Sequence, residues 1–195
     1  MPDAIEKLRA NAEEHEAAMR RLREELIPRI EHLAQLVIGC FKAGGQLLTF
    51  GNGGSAADAL HLAEELIGRY HHDRRPMPAI ALTADSTALT CIANDYGFEK
   101  IFSRQVTALA RPGDVALGIS TSGNSPNVIA ALAAARQNKA TAVLLTGGTG
   151  GRIVAEGLAD HVLIVPSATT ARIQEMHIFI IHCICERVED WLLEG

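Results

Sequence analysis

The sequence lacks the features that mark secreted, membrane-spanning and nucleic-acid-coating proteins. Nowhere do about 18 apolar residues run together, and residues 1–30 are charged throughout, with no apolar signal core. The four cysteines show neither CxxC spacing nor a dense framework, as expected for reduced thiols. Basic residues number 18 against 23 acidic ones, for a net charge of −5, which argues against nucleic acid or an anionic membrane as a partner. We therefore expect a cytoplasmic protein.

The apolar residues that are present form short runs separated by helical stretches. The chain has 195 residues, of which 48% are hydrophobic, and this is enough for one domain with its own core. Short apolar strands alternating with helices are typical of a doubly wound α/β fold, in which helices cover both faces of a parallel sheet. We predict a single domain over residues 1–195 and a last helix over residues 174–193. Five strands are predicted, at residues 47–50, 79–82, 115–119, 141–145 and 161–165.

Residues 1–43 predict a long amphipathic helical segment. Apolar residues recur at spacings of three and four, which is a heptad seam, and Pro28 is expected to interrupt the helix. Because the seam is long and its outer face is charged, we favour packing against another subunit; a helix lying on its own domain is the alternative. The seam consists of Ile5, Leu8, Ala12, His15, Met19, Leu22 and Leu26.

Two loops that follow predicted strands have unusual sequences. The first, residues 51–55 (GNGGS), offers glycines that let the backbone approach a ligand, and Ser55 is expected to cap the next helix. The second, residues 120–126 (STSGNSP), places four hydroxyl side chains at a helix entrance. We interpret it as a phosphate cradle rather than ordinary capping. Since no lysine stands beside it, as it does in a nucleotide-binding P-loop, a sugar phosphate is the favoured ligand.

His61 and Glu65 lie four residues apart on the helix that follows the first loop, and therefore on one face of it. This spacing suits two ligands of one metal ion, or a base and its partner. An ordinary surface contact between histidine and glutamate is the alternative. The helix begins at the first loop, so one of its faces can be turned toward a bound substrate.

The C-terminal helix and a third loop add candidates. His182 lies in an apolar stretch and is predicted to be buried, either as a functional group or as a core histidine bonded to a backbone carbonyl. Gln174 precedes it by eight residues, a rise of about 12 Å along a helix. Asn94 and Asp95 are either sugar-binding residues or part of a plain turn. The other histidines are interpreted as structural or exposed.

Five segments together resemble the phosphoheptose isomerases, members of the sugar isomerase (SIS) domain group. The likeness covers nearly the whole chain, and the segments come in the same order and at fitting distances. They are GNGGS at residues 51–55, HLAEELIGRY at 61–70, ANDYG at 93–97, ISTSGNS at 119–125 and RIQE at 172–175.

This resemblance implies an aldose–ketose isomerase that converts sedoheptulose 7-phosphate into D-glycero-D-manno-heptose 7-phosphate, the first step toward nucleotide-activated heptose and the lipopolysaccharide core. It implies a homotetramer with active sites between subunits, and one zinc ion per subunit held by His61, Glu65, Gln174 and His182. Glu65 and His182 would also be the acid/base pair. The implied substrate-binding residues are Asn52, Gly53, Gly54, Ser55, Glu65, Arg69, Asn94, Asp95, Ser120, Thr121, Ser122, Ser125 and Gln174.

The chemistry fits these residue types. Moving a carbonyl to a neighbouring carbon requires a base that takes a proton from one carbon and returns it to the next through an enediol, and a carboxylate can do this. Because Glu65 cannot be a tightly held ligand and a free base at once, the metal is either loosely bound or partly structural. Ala171 departs from the pattern, since some relatives have there an aspartate that contacts substrate.

Two other functions compete with this interpretation. A non-catalytic SIS-domain adaptor that binds the bacterial replication initiator shares the RIQE segment, but the presence of Glu65 favours an enzyme. A dinucleotide enzyme is indicated only by the GxGxxA pattern at residues 51–56. The acidic ribose-binding residue expected about 20 residues further on is missing, because the next strand leads to Asp85.

Overall fold

Helices alternate with five short strands in residues 3–194, the part of the chain that the structure, a computed structural model, describes. Residues 1, 2 and 195, the ends of the predicted domain, lie outside it. None of the helices between residues 3 and 194 combines the length and apolar character needed to span a bilayer. The strands are β1 (Leu47–Gly51), β2 (Ala79–Ala81), β3 (Val115–Ser120), β4 (Thr141–Gly147) and β5 (His161–Val165). The helices are α1 (Ala4–Glu25), α2 (Ile27–Lys42), α3 (Gly54–Ile67), α4 (Ser86–Tyr96), α5 (Ser103–Leu109), α6 (Pro126–Gln137), α7 (Gly151–Ala155) and α8 (Thr170–Glu194), with a 3₁₀ turn at Phe98–Lys100.

The strands form one parallel sheet in the order β2-β1-β3-β4-β5. This confirms the predicted doubly wound α/β fold. The order changes direction at β1, which has β2 on one side and β3 on the other. In such sheets ligands bind beyond the carboxyl ends of the strands at the point where the order reverses. The two unusual loops follow β1 and β3, so the topology brings them together at this point.

Each face of the sheet is covered by its own hydrophobic core. On one face, Leu47 and Leu117 belong to a core shared with α2, α3 and α8. On the other, Leu48 and Ala116 belong to a core that includes residues of α5 and α6. Because neighbouring strand residues point to opposite faces, strands buried on both sides have nearly continuous apolar sequences. The helices α3 and α8, which carry the residues of the predicted metal site, therefore lie on the same side.

The N-terminal helical segment is interrupted as predicted. α1 and α2 meet at Leu26, and Pro28 lies in the first turn of α2, where its missing N–H costs no hydrogen bond. The heptad seam is divided in two. Leu22 is fully buried within the domain, whereas Ile5 and Leu8 are 58% and 68% exposed. The second half of the seam, around Leu22, packs on the same domain. For the first half, around Ile5 and Leu8, contact with another subunit stays a prediction.

The structure departs from the prediction at short helices and at element ends. α5 and α7, of seven and five residues, have too few turns to show an apolar period in the sequence. β4 continues to Gly147, two residues beyond its predicted end, and α8 begins at Thr170, four residues before its predicted start. Gln174 therefore lies inside α8 rather than at its beginning.

Candidate active site

Glycine sets the conformation of the loop after β1. Gly53, the N-cap residue of α3, has a φ of +56°, a backbone conformation that favours glycine. The prediction that Ser55 caps this helix is wrong. The helix begins at Gly54, so Ser55 lies inside it, only 4% exposed, beyond the position from which a side chain caps the first turn. The Ser55 N–H donates instead to the Asn52 carbonyl oxygen at 3.0 Å.

A pair of side-chain amides joins the loop after β1 to the start of α6. Asn52 Nδ2 donates to Asn127 Oδ1 at 2.9 Å, and Asn127 Nδ2 donates to Asn52 Oδ1 at 2.8 Å. Asn127, 2% exposed, was not a candidate in the sequence, because only the strand order brings it close to the first loop. One N–H and one lone pair of the Asn52 amide remain for a ligand.

The loop after β3 gathers hydroxyl groups at the N-terminus of α6. Ser120, the last residue of β3, is 4% exposed, and its Oγ lies 3.1 Å from that of Ser125. Ser125 is the N-cap residue of α6, yet no side-chain hydrogen bond within residues 3–194 caps the helix. The Ser122 hydroxyl is exposed and accepts the Asn124 N–H at 3.2 Å. Hydroxyl donors and the positive end of a 12-residue helix dipole thus meet at one place, which suits an anion.

The end of β4 supports this loop. The Gly147 N–H donates to the Thr121 carbonyl oxygen at 3.2 Å. Gly123 has a φ of +64°, and a Cβ there would collide with the Gly150 carbonyl oxygen, so only glycine fits. A cavity of about 250 Å³ opens beside the loop, with Thr121, Ser122 and Gly147 among its lining residues. The cavity has room for a small polar ligand next to the hydroxyl groups.

Three of the residues implied to bind substrate belong to other segments of the chain and are exposed. Asn94 and Asp95 are exposed in the last turn of α4, where Asn94 Nδ2 donates to Asp95 Oδ1 at 2.7 Å. Arg69 is also exposed, beyond the end of α3, and donates to the His71 carbonyl oxygen at 3.4 Å. Asp85 caps α4 by accepting two backbone N–H groups. Its carboxylate therefore binds the start of the helix, whereas a ribose-binding residue would have its carboxylate free for the ribose hydroxyls.

His61, Glu65 and His182 come together between α3 and α8. The Nε2 atom of His61 lies 3.3 Å from Glu65 Oε1 and 3.2 Å from His182 Nε2. The Glu65 side chain is 17% exposed and that of His61 36%, so the group is open to a substrate on one side. The ring of Tyr70 lies 5.9 Å from that of His182. A half-buried carboxylate beside one imidazole, which in turn contacts a second, is an arrangement that can accept and pass on protons.

This group also fits a metal ion. Nitrogen and carboxylate oxygen are zinc ligands, and the Nε2 atom of His61 lies close to both the Glu65 carboxylate and the His182 imidazole. The exposed Glu64, which was not among the candidate residues, places a carboxylate oxygen within 4.8 Å of ligand atoms of His61 and Glu65. His182 is half-buried rather than buried in the core, and its position beside His61 makes it available as a ligand.

Gln174 occupies a different place from the other predicted metal ligands. Its side-chain amide packs against Gly54, so closely that a Cβ at Gly54 would collide with it. His182 lies about 12 Å further along α8, next to His61. α3 and α8 thus run side by side in the same direction, with Gly54 next to Gln174 at one end. In this single chain the Gln174 side chain faces the first loop.

A buried carboxyl group lies one turn before His61. Asp58 is 8% exposed, and its Oδ2 has no hydrogen-bond partner among residues 3–194. Burial raises the pKa of Asp58 to about 6, against the opposing effect of His61. The sequence signal for Asp58 is its position three residues before His61, which places the two on neighbouring parts of one helix face.

The histidine that is fully buried in α8 is His177 rather than His182. His177 Nε2 lies 3.2 Å from the Thr146 carbonyl oxygen, to which it donates, and its Nδ1 has no partner among the described residues. Burial lowers the pKa of His177 to about 4. The expectation that His182 is buried is wrong, and of the two interpretations left open for His177, structural or exposed, the structure shows the structural one.

The lowered pKa of His177 predicts a loss of stability in mild acid. The unfolded chain takes up a proton on this histidine near its usual pKa of 6.5, and the folded chain only near 4. Stability therefore falls as the pH drops from about 6.5 to about 4, with about 3 kcal/mol due to His177. Urea unfolding at several pH values checks this. His177→Gln should flatten the slope and the exposed His32→Gln should not; equal slopes in both variants would contradict the prediction.

Comparison with known proteins agrees with the fold. The family model of the SIS domain matches residues 12–147. The phosphoheptose isomerase of Paramagnetospirillum magneticum is 57% identical over 159 residues, which is 82% of each chain. Among solved structures, the phosphoheptose isomerase of Neisseria gonorrhoeae has a TM-score of 0.90 at 44% identity, covering 96% of this chain and 100% of that one. The enzyme of Francisella tularensis has a TM-score of 0.93 at 36% identity, with 96% and 99% covered.

These similarities extend over nearly the full length of the chain. They agree with the resemblance carried by the loops after β1 and β3 and by the segments that contain His61, Glu65 and Gln174. The two solved structures share the five-stranded fold described above. On this evidence the chain belongs to the phosphoheptose isomerases of the SIS domain family.

Proposed function

We propose that the chain interconverts sedoheptulose 7-phosphate and D-glycero-D-manno-heptose 7-phosphate, the first step toward nucleotide-activated heptose and the lipopolysaccharide core. The observation that carries the proposal is the contact of His61 with both Glu65 and His182, at 3.3 and 3.2 Å. The names of the relatives, phosphoheptose isomerase, support the substrate class. The chemistry needs a base beside a carbon-bound proton and a group that moves protons between oxygens, and this group of side chains offers both.

The reaction moves the carbonyl from C2 of the ketose to C1. Glu65 takes a proton from C1, an enediol forms, and Glu65 returns the proton to C2. His182 moves protons between the oxygens of C1 and C2, a task that an imidazole performs near neutral pH. Asn52, Gly53, Gly54, Ser55 and Gln174 would hold the sugar from the first loop and the start of α8, while Arg69, Asn94 and Asp95 would contact it from the exposed turns.

We propose one zinc ion per subunit at this site. His61, Glu65 and His182 would hold it. Gln174, the fourth ligand that the family resemblance implies, lies beside Gly54 in the single chain, about two turns of α8 before His182. Their nitrogen and oxygen atoms are the donor set that zinc accepts. When bound, the ion polarises the carbonyl and hydroxyl oxygens of the sugar and stabilises the negative charge of the enediolate.

The phosphate group is assigned to the hydroxyl-rich loop after β3, with contacts from Ser120, Thr121, Ser122 and Ser125. Replacing Ser120 and Ser122 by alanine removes two hydroxyl donors to a doubly charged group. We expect KM for the sugar phosphate to rise about 10- to 100-fold, while kcat changes little, because neither hydroxyl touches the reacting carbons. Steady-state kinetics check this, with Ser103→Ala, a serine of α5, as the control. An unchanged KM would contradict the assignment.

The chain is proposed to act in the cytoplasm as a homotetramer with active sites between subunits. The exposed Ile5 and Leu8 of α1 support a contact with another subunit, because large apolar side chains at seam positions are unlike an ordinary charged surface. The expected ligand is a small sugar phosphate, and neither nucleic acid nor membrane is expected as a partner.

A direct isomerisation assay tests the function. Purified protein is incubated with sedoheptulose 7-phosphate, and the aldose product is measured with and without a zinc chelator. We expect turnover, and its loss on chelation should be reversed by added zinc. A folded protein that leaves the ketose unchanged, with and without added zinc, would refute the isomerase assignment. Turnover that is insensitive to chelation would refute the proposed role of zinc in the reaction.

A further inference from the structure

A buried ion pair joins the segment after α3 to α8. The side chains of Arg74 and Glu189 are 2% and 4% exposed, and Arg74 Nε lies 4.0 Å from Glu189 Oε1. Charged side chains are seldom buried so completely unless they have strong partners. No pattern in the sequence points to either residue, and the proposed mechanism uses neither.

Arg74 holds the end of the helix that carries Glu65. Its Nη2 donates to the Glu65 carbonyl oxygen at 2.6 Å, and its Nη1 donates to those of Leu66 and Gly68 at 2.8 and 3.1 Å. The last carbonyl groups of a helix have no partner within it, and a positive charge there matches the helix dipole. Arg74 therefore fixes the last turn of α3 at the backbone of the proposed base itself.

Glu189 holds the segment that packs on His182. Its carboxylate accepts the backbone N–H groups of His71 at 3.1 Å and of His72 at 3.0 Å. These hydrogen bonds favour the ionised form and keep the pKa of Glu189 below its usual value, against the effect of burial. The ring of Tyr70 stacks on that of His71 at 4.0 Å and lies 5.9 Å from that of His182.

Glu189 also lies on the helix that carries His182. The two are seven residues apart, which is two turns, so they share one face of α8. Glu189 thus belongs to α8, the helix that carries His182, and Arg74 is hydrogen-bonded to the end of α3, the helix that carries Glu65. The separation of Glu65 and His182 depends on both ties.

We propose that Arg74 and Glu189 are positioning residues for the isomerase reaction. Together they set the place of Glu65 relative to His182 and hold Tyr70 against His182. The inference rests on the proposed function. Neither residue contacts the hydroxyl-rich loop after β3, so the pair serves the proton transfer rather than the binding of phosphate.

A purely structural role would have different consequences. If the pair only stabilised the fold, its loss would lower the melting temperature, but each folded molecule would turn over as before. If it positions Glu65, a small displacement of the carboxylate slows proton transfer, since about 1 Å of misplacement can cost about 100-fold in rate. The fall should appear in kcat, with KM nearly unchanged.

The test uses Glu189→Gln, which keeps the volume and removes the charge, and Arg74→Lys, which keeps the charge and removes the planar fork. Leu132→Ala, in the core on the opposite face of the sheet, is the control for lost stability. All are assayed well below their melting temperatures with sedoheptulose 7-phosphate and with the same sugar deuterated at C1. We expect kcat to fall about 10- to 100-fold in both variants, KM to stay within about twofold, and the deuterium isotope effect to rise.

The outcomes of this test distinguish a positioning role from a structural role, and both from failure of the proposed function. Values of kcat and isotope effect that match Leu132→Ala would assign the pair a structural role and overturn the inference while leaving the proposed function intact. If both variants fail to fold, the role of the pair is structural, and the inference is overturned as well. An inactive wild-type protein would overturn the proposed function, and with it the positioning role.

Discussion

Glu65→Gln is expected to reduce turnover at least about 1000-fold while leaving the fold intact. The substitution changes almost no volume, but an amide cannot accept a proton from carbon as a carboxylate does. Binding of the sugar phosphate should persist, because the hydroxyl groups after β3 are untouched. Turnover of sedoheptulose 7-phosphate and binding of the same sugar by calorimetry check the two parts of the expectation.

Glu64→Gln is the matched control for this variant. Glu64 is the neighbouring residue on α3, and its side chain is exposed. The same chemical change there should leave most of the activity. Substantial turnover in Glu65→Gln would remove Glu65 from its assigned role, and a comparable loss in Glu64→Gln would transfer that role to the neighbouring carboxylate.

His182→Gln is expected to lower kcat by about 100- to 1000-fold. Glutamine keeps a hydrogen-bonding group of similar reach, but it cannot take up and release a proton near neutral pH. The enediol then has no group to move protons between its two oxygens. Steady-state kinetics and a circular dichroism spectrum of the variant measure the loss and verify the fold.

His32→Gln is the corresponding control, since His32 is exposed on α2, where its ring lies beside that of His161. It should retain the turnover of the wild type. If His182→Gln were as active as this control, the proton transfers between oxygens would have to be assigned to another group.

The sequence predicts those parts of the site that depend on local chemistry. The glycines of the first loop and the hydroxyl groups of the second indicate ligand loops because few other roles need these residue types at strand ends. The spacing of His61 and Glu65 predicts a shared helix face directly. Gln174 and His182 are candidates on the C-terminal helix, but only the family resemblance connects them to His61 and Glu65, because no local pattern does.

Several features that the sequence does not reveal are contacts between distant segments. The amide pair of Asn52 and Asn127 depends on the strand order, and the tie between Arg74 and Glu189 depends on how α8 packs against α3. His177 is buried and His182 only half-buried because of the rotation of α8 about its axis. The packing of α8 against the rest of the domain determines that rotation. Side-chain periodicity fixes which residues share a face, but tertiary packing determines how deeply each is buried.

The parallel alignment of α3 and α8 restricts how the chain length can vary. Gly54 meets Gln174 at one end, and His61 meets His182 at the other. Insertion of one residue between positions 174 and 182 would turn everything beyond it by about 100° around the helix axis. His182 would swing away from α3 while Gln174 stayed in place. Single-residue insertions and deletions between positions 174 and 182 are therefore incompatible with this site.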